Sequence, residues 1–146
     1  MYRWLAALLL LTTTAARARD DGEAADEPRF RVYDVVLHTG DRELAAWQIE
    51  LQYDPDHVRI VGIEGDPRPP YYDRRGLSAG RIVIASFTTA RDDLARGKVR
   101  LCRLHIRLTA ADSPPPTARL ITAATGTGAK FTARLDISPQ RAGEEQ

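Results

Sequence analysis

Apolar residues fall at every second position through Trp47, Ile49, Leu51 and Tyr53, and the residues between them, Gln48, Glu50 and Gln52, are polar. A period of two belongs to an extended strand with one buried and one wet face; an amphipathic helix repeats every 3.6 residues. FRVYDVVLHT (30–39), VRIVGI (58–63), RIVIASFTT (81–89), VRLCRLHIRLT (99–109), ARLITAAT (118–125) and KFTARLDI (130–137) are likewise short, β-rich and punctuated by Gly, Pro or Asp. Strands at this spacing specify an all-β, antiparallel sandwich. In VRLCRLHIRLT the apolar parity changes between Leu101 and Cys102, which predicts a bulge or a strand that switches partners. ARDDLAR (90–96) is the one fair helix candidate, but it is short and polar, so a loop with a single helical turn is expected. PRPP (67–70) and PPP (114–116) cannot lie inside central strands and mark long loops.

Between Tyr53 and Val58 the chain reads Asp54-Pro55-Asp56-His57. Two carboxylates can divide acid and base duties when their environments push their pKa values apart. The same residues also make an efficient corner. Asp54 can accept a hydrogen bond from the backbone N–H two residues on, and Pro55 fixes φ at the first turn position. We read the stretch as a turn. His38, His57 and His105 share no metal-ligand spacing, and the sequence has no Cys/His cluster, EF-hand loop, G-x-S-x-G elbow or phosphate-binding glycine loop. No catalytic residue, metal site or cofactor is therefore assigned. The stronger site candidate is PPYYDRRG (69–76), where Tyr71, Tyr72, Arg74 and Arg75 sit on a proline-braced loop. Tyrosine offers large contact area at low entropy cost, arginine is enriched at binding hot spots, and tyrosines can also stack on sugar rings; the competing reading, which we favour, has one tyrosine packed inward as a lid on the sandwich end and the rest solvated.

Residues 1–18 have the layout of a secretory signal peptide: Arg3, an apolar run from Leu5 to Leu11, and Ala16-Arg17-Ala18 at the expected cleavage point. The apolar run is well short of the roughly 20 residues that cross a bilayer, so no stable membrane insertion is expected after cleavage. A secreted or periplasmic location follows as an expectation. Residues 19–29 are charged and poor in large apolar groups and read as a flexible leader; residues 138–146 read as a disordered tail. The 108 residues from Phe30 to Ile137 form one domain large enough to hold its own core. The chain has 21 basic and 20 acidic residues with interspersed signs, which argues against nucleic acid and against an anionic membrane surface. All the basic residues but Lys98 and Lys130 are arginine, which suits bidentate anion recognition and also follows from GC-rich codon usage. Cys102 is the only cysteine, so no internal disulfide staples the domain, and its strand parity predicts a buried free thiol.

Leu44 to Gly65, LAAWQIELQYDPDHVRIVGIEG, resembles the N-terminal part of cohesin domains. In that family an alternating aromatic strand runs into a Tyr-Asp-Pro corner, and a second strand exits through a Glu-Gly-like end. Trp47, Tyr53, Asp54, Pro55, Val58, Ile60 and Glu64 take those places. GRIVIASFTT (80–89) and GKVRLCRLHIRL (97–108) are similar to later family strands, and the likeness runs from about Phe30 to Ile137. The resemblance implies a jelly-roll sandwich of about nine strands and a non-catalytic role. Trp47, Tyr53, Asp54 and Pro55 are then fold-signature, structural residues. The implied partner is an exported protein bearing a dockerin. The family's contact residues vary, so none is carried over, and the PPYYDRRG insertion departs from the family pattern. The alternative is a carbohydrate-binding module that takes polysaccharide, with Tyr71 and Tyr72 as stacking groups.

Overall fold

A computed structural model of the chain describes residues 29–140, apart from 66, 67, 91, 93 and 111. The expected signal peptide, the leader up to residue 28 and tail residues 141–146 lie outside the described residues. The strands are β1 (Arg29–His38), β2 (Ala46–Gln52), β3 (Val58–Gly65), β4 (Tyr71–Tyr72), β5 (Arg81–Phe87), β6 (Lys98–Leu108), β7 (Thr117–Ala124), β8 (Lys130–Phe131) and β9 (Arg134–Pro139). A short 3-10 helix spans Arg74–Ser78.

The nine strands form two antiparallel sheets, a four-stranded one in the order β3-β6-β1-β9 and a five-stranded one in the order β4-β5-β2-β7-β8. Apart from the β4–β5 and β7–β8 pairs, each strand passes to the opposite sheet from the one before it. That cross-sheet winding produces a sandwich, not a stack of hairpins. Alternation then fills the interior. Ile49 and Leu51 of β2 face Ile82 and Ile84 of β5 on one inner surface, and Val35 and Leu37 of β1 join Leu104, Ile106 and Leu108 of β6 on the other. Full burial of each such Leu or Ile stabilises the fold by about 1.5–3 kcal/mol relative to leaving it exposed.

The parity break in β6 is a bulge. Val35 pairs with Cys102 while Val36 pairs with Arg100, so Leu101 is the extra residue, and Leu101 and Cys102 both point into the core. Cys102 is buried and free, as expected, and burial, followed by the nearby Asp34 charge, pushes its thiol up to about 12.

Three expectations need correction. The segment 130–137 is two strands: β8 pairs with β7 in the five-stranded sheet, and β9 pairs with β1 in the other. β9 also continues through Ser138 and Pro139, and Gln140 N–H donates to Val32 O at 2.8 Å, so the ladder runs past the boundary at Ile137. The expected helical turn in 90–96 lies partly outside the described residues; at the end of that segment Ala95 bridges to Leu44. Tyr71 and Tyr72 lie in an edge strand, not a loop: the prolines stop at Pro70, leaving both N–H groups free for pairing with β5.

Candidate functional site

The corner at residues 54–57 is closed by its own backbone and side chains. Asp54 Oδ1 accepts from Asp56 N–H at 3.0 Å, and Asp54 O accepts from the amides of His57 at 3.2 Å and Val58 at 2.8 Å. His57 Nδ1 lies 2.7 Å from Asp54 Oδ2. That hydrogen bond lowers the Asp54 carboxyl below its usual range and raises His57 above its own. Tyr53 is buried beside the corner. Its amide donates to Gly80 O at 2.9 Å and its hydroxyl donates to Gly76 O, tying the end of β2 to the 3-10 helix. Gly80 has φ +78°, and a Cβ there would sit 3.1 Å from Pro55 Cδ and from Tyr53 O. These contacts account for the Tyr-Asp-Pro residues as a structural joint.

The two outer faces of the sandwich differ. On the four-stranded sheet the outer face carries cross-strand polar contacts: the Arg103–Asp34 ion pair at 2.8 Å, and hydrogen bonds of His105 with Glu64 at 3.2 Å and of His38 with Asp136 at 2.8 Å. On the five-stranded sheet, alternation turns Arg81, Val83, Ala85 and Phe87 of β5 outward, because Ile82 and Ile84 enter the core. Tyr71 pairs with Ala85 and shares that outer face. Its ring stacks on Phe87 with centroids 5.8 Å apart and planes 16° apart, yet Tyr71 remains 65% exposed and Phe87 57% exposed. Ala46 and Ala124 flank this end at paired positions and leave the aromatic pair standing above small side chains.

The other end of the same face is polar. Glu50 points outward from β2, opposite Val83 and Arg119, but is only 2% exposed. Arg81 Nε donates to Glu50 Oε2 at 2.7 Å and Arg81 Nη2 donates to the same oxygen. Glu50 Oε1 accepts from Gln52 Nε2 at 2.9 Å and from Arg119 Nη2 at 3.3 Å. The Arg81 guanidinium, followed by the Gln52 amide, holds the Glu50 carboxyl down to about 2. The carboxylate is thus roofed by two arginines that are themselves about two-thirds exposed, at 65% and 66%.

Of the residues that sequence singled out, Tyr71 reaches this face and Tyr72 does not. Tyr72 pairs with Ile84 and packs against the core, so neighbours in one strand point to opposite sides and form no common platform. Arg74 and Arg75 are exposed in the 3-10 helix, which Asp73 caps by accepting from Arg75 N–H at 2.9 Å. Arg74 borders a shallow hollow with Tyr71, Val83, Ala85 and part of Tyr72; Arg75 does not. Trp47 is 9% exposed and lines a cavity of about 290 Å³ at one end of the sandwich, with Leu44, Leu94 and Leu101, and Phe87 borders the same cavity. Sequence reasoning missed Phe87, Arg81 and Arg119. Phe87 was visible in the odd parity of RIVIASF, but the Arg81–Glu50–Arg119 group joins three strands and has no local signature. Among the described residues no group of three or more His, Cys, Asp or Glu is placed to hold a metal ion.

This architecture is a cohesin-like β-sandwich. It is similar to the cohesin of a type I cohesin–dockerin complex from Clostridium thermocellum, with a TM-score of 0.59 and 11% identity over 76% of this chain and 87% of that one. At that identity the likeness is one of fold. No family model matches the sequence, and no curated protein does.

Proposed function

We propose that the domain is a non-catalytic module that binds a partner protein through the outer face of its five-stranded sheet. The observation that carries this reading is the exposed Tyr71–Phe87 stack, set above Val83 and Ala85 on a flat sheet surface. Exposed aromatics on a surface of small side chains match the anchors of protein interfaces. The four-stranded sheet also exposes Phe30 and Val61, but as single side chains outside any ring stack among the described residues. The structural neighbour is part of a cohesin–dockerin complex, and a dockerin-bearing protein is the partner class we propose. The signal-peptide layout of residues 1–18 supports a secreted or periplasmic setting for that encounter.

The test is capture from an exported fraction on immobilised domain, alongside retention on insoluble polysaccharides. Capture of a defined partner that is lost in Tyr71→Ser and Phe87→Ser, with no polysaccharide retention, is the expected result. Retention on a polysaccharide that disappears in Tyr71→Ala would replace the protein-binding reading with the carbohydrate one.

A further inference from the structure

The five-stranded face carries an unbalanced charge at one end. Glu50 is the only acidic residue in β2, β5 and β7, and Arg81 and Arg119 both converge on it. Two cations against one anion leave an excess positive charge at the surface. The excess is fixed in place, because Glu50 is buried beneath the arginines and Gln52 occupies one of its oxygens. Each guanidinium spends one edge on Glu50. Arg81 uses Nε and Nη2, Arg119 uses Nη2, and further N–H donors of both remain directed away from the carboxylate. A pair of arginines pre-oriented by a buried acid loses less side-chain freedom on binding than two free arginines would.

This inference rests on the proposal that the face binds a protein, and it names that partner's chemistry. We infer that the partner presents a carboxylate to Arg81 and Arg119, together with an aliphatic or aromatic side chain that sits against Tyr71 and Phe87. A carboxylate there would complete a four-membered cluster of two cations and two anions and bring the local charge to zero. The spacing follows from the strand. Tyr71 lies opposite Ala85, four residues along β5 from Arg81, or about 13 Å at the rise of a strand. On a helix, residues seven apart share a face and stand about 10.5 Å apart, and the long Arg and Glu side chains make up the difference.

The probes are three rigidified helical peptides of about 14 residues, roughly 20 Å long. They are identical in an apolar face and differ at one end position, occupied by Glu, Gln or Lys seven residues from the central leucine and on the same face as it. Each is titrated into the isotope-labelled protein by NMR. The Glu peptide is expected to shift the Nε–H signals of Arg81 and Arg119 and the amides of Val83 and Ala85. The Gln peptide should bind about fivefold more weakly, the range of a partly exposed charge-assisted pair, and the Lys peptide more weakly still. In Arg119→Gln, and independently in Arg81→Gln, the preference for Glu over Gln should shrink while residual binding to the apolar end persists. Equal affinity for all three peptides would overturn the acidic-partner inference and leave the apolar docking face standing. Shifts confined to the four-stranded sheet, or no binding by any peptide up to about 1 mM, would also overturn it. Partner capture with the Tyr71 and Phe87 variants reads the underlying proposal separately, since those substitutions change no charge.

Discussion

The side chain of Asp54 is shared between Asp56 N–H and His57 Nδ1, while its carbonyl takes two further amides. A mixed acid–imidazole group on an exposed corner invites a chemical role, yet every one of these bonds closes the turn between β2 and β3. The electrostatics follow. His57 is raised above its ordinary 6.5, so its contribution to stability is fully present below that value and is lost as pH rises through the folded value. Asp54 is lowered from its ordinary 3.8, so its contribution is present above that value and lost as pH falls through the folded one. The pair therefore stabilises most between these two ordinary values, and because both side chains are partly exposed the effect is small and screened by salt. The urea midpoint of the parent is expected to exceed that of His57→Gln near about pH 5.5, and the gap should narrow near about pH 8.5 or in high salt. A gap that widens with pH would refute the assignment. Tyr53 makes the second contribution at this joint. Tyr53→Phe keeps the packing and removes the hydroxyl bond to Gly76 O, and should cost about 1 kcal/mol by urea denaturation without changing partner affinity.

At the scale of the elements, the β6 bulge lets two consecutive residues, Leu101 and Cys102, enter the core. Its consequence is chemical as well as geometric. With the thiol pushed up to about 12 by burial, a disulfide reagent at neutral pH should modify Cys102 only as fast as the domain opens, and full modification should appear on unfolding. Rapid labelling of the native protein would show that the bulge region opens locally. The bulge was legible in the sequence because it breaks parity. The split between β8 and β9 was not, because Phe131, Ala133, Leu135 and Ile137 keep parity and all pack against the core. A chain can change sheets without changing its alternation when both sheets share one interior. The wet face of β2 was legible as polar, but period two says nothing about what lies on top of it. The partners that bury Glu50 stand 31 and 69 residues away, and only the strand order β5-β2-β7 brings them together. That one of Tyr71 and Tyr72 would pack inward was legible in the sequence; what it concealed was the edge pairing with β5 that makes Tyr72 the inward one.

At the scale of the whole molecule, the sandwich presents two unlike surfaces, one crossed by polar contacts between its strands and one carrying an aromatic stack with a cationic end. The core is continuous between them and contains no disulfide, so the positions of both faces depend on side-chain packing alone. The placement of the first and last strands matters here. β1 and β9 are antiparallel neighbours in the four-stranded sheet, and residue 140 hydrogen-bonds back to residue 32. Residues 29 and 140 therefore leave the sandwich at one end, from the sheet remote from Tyr71, Phe87 and Arg81. A tether joined at either point would hold the module by its back and leave the proposed recognition surface pointing away from the support, free to be approached by a large body.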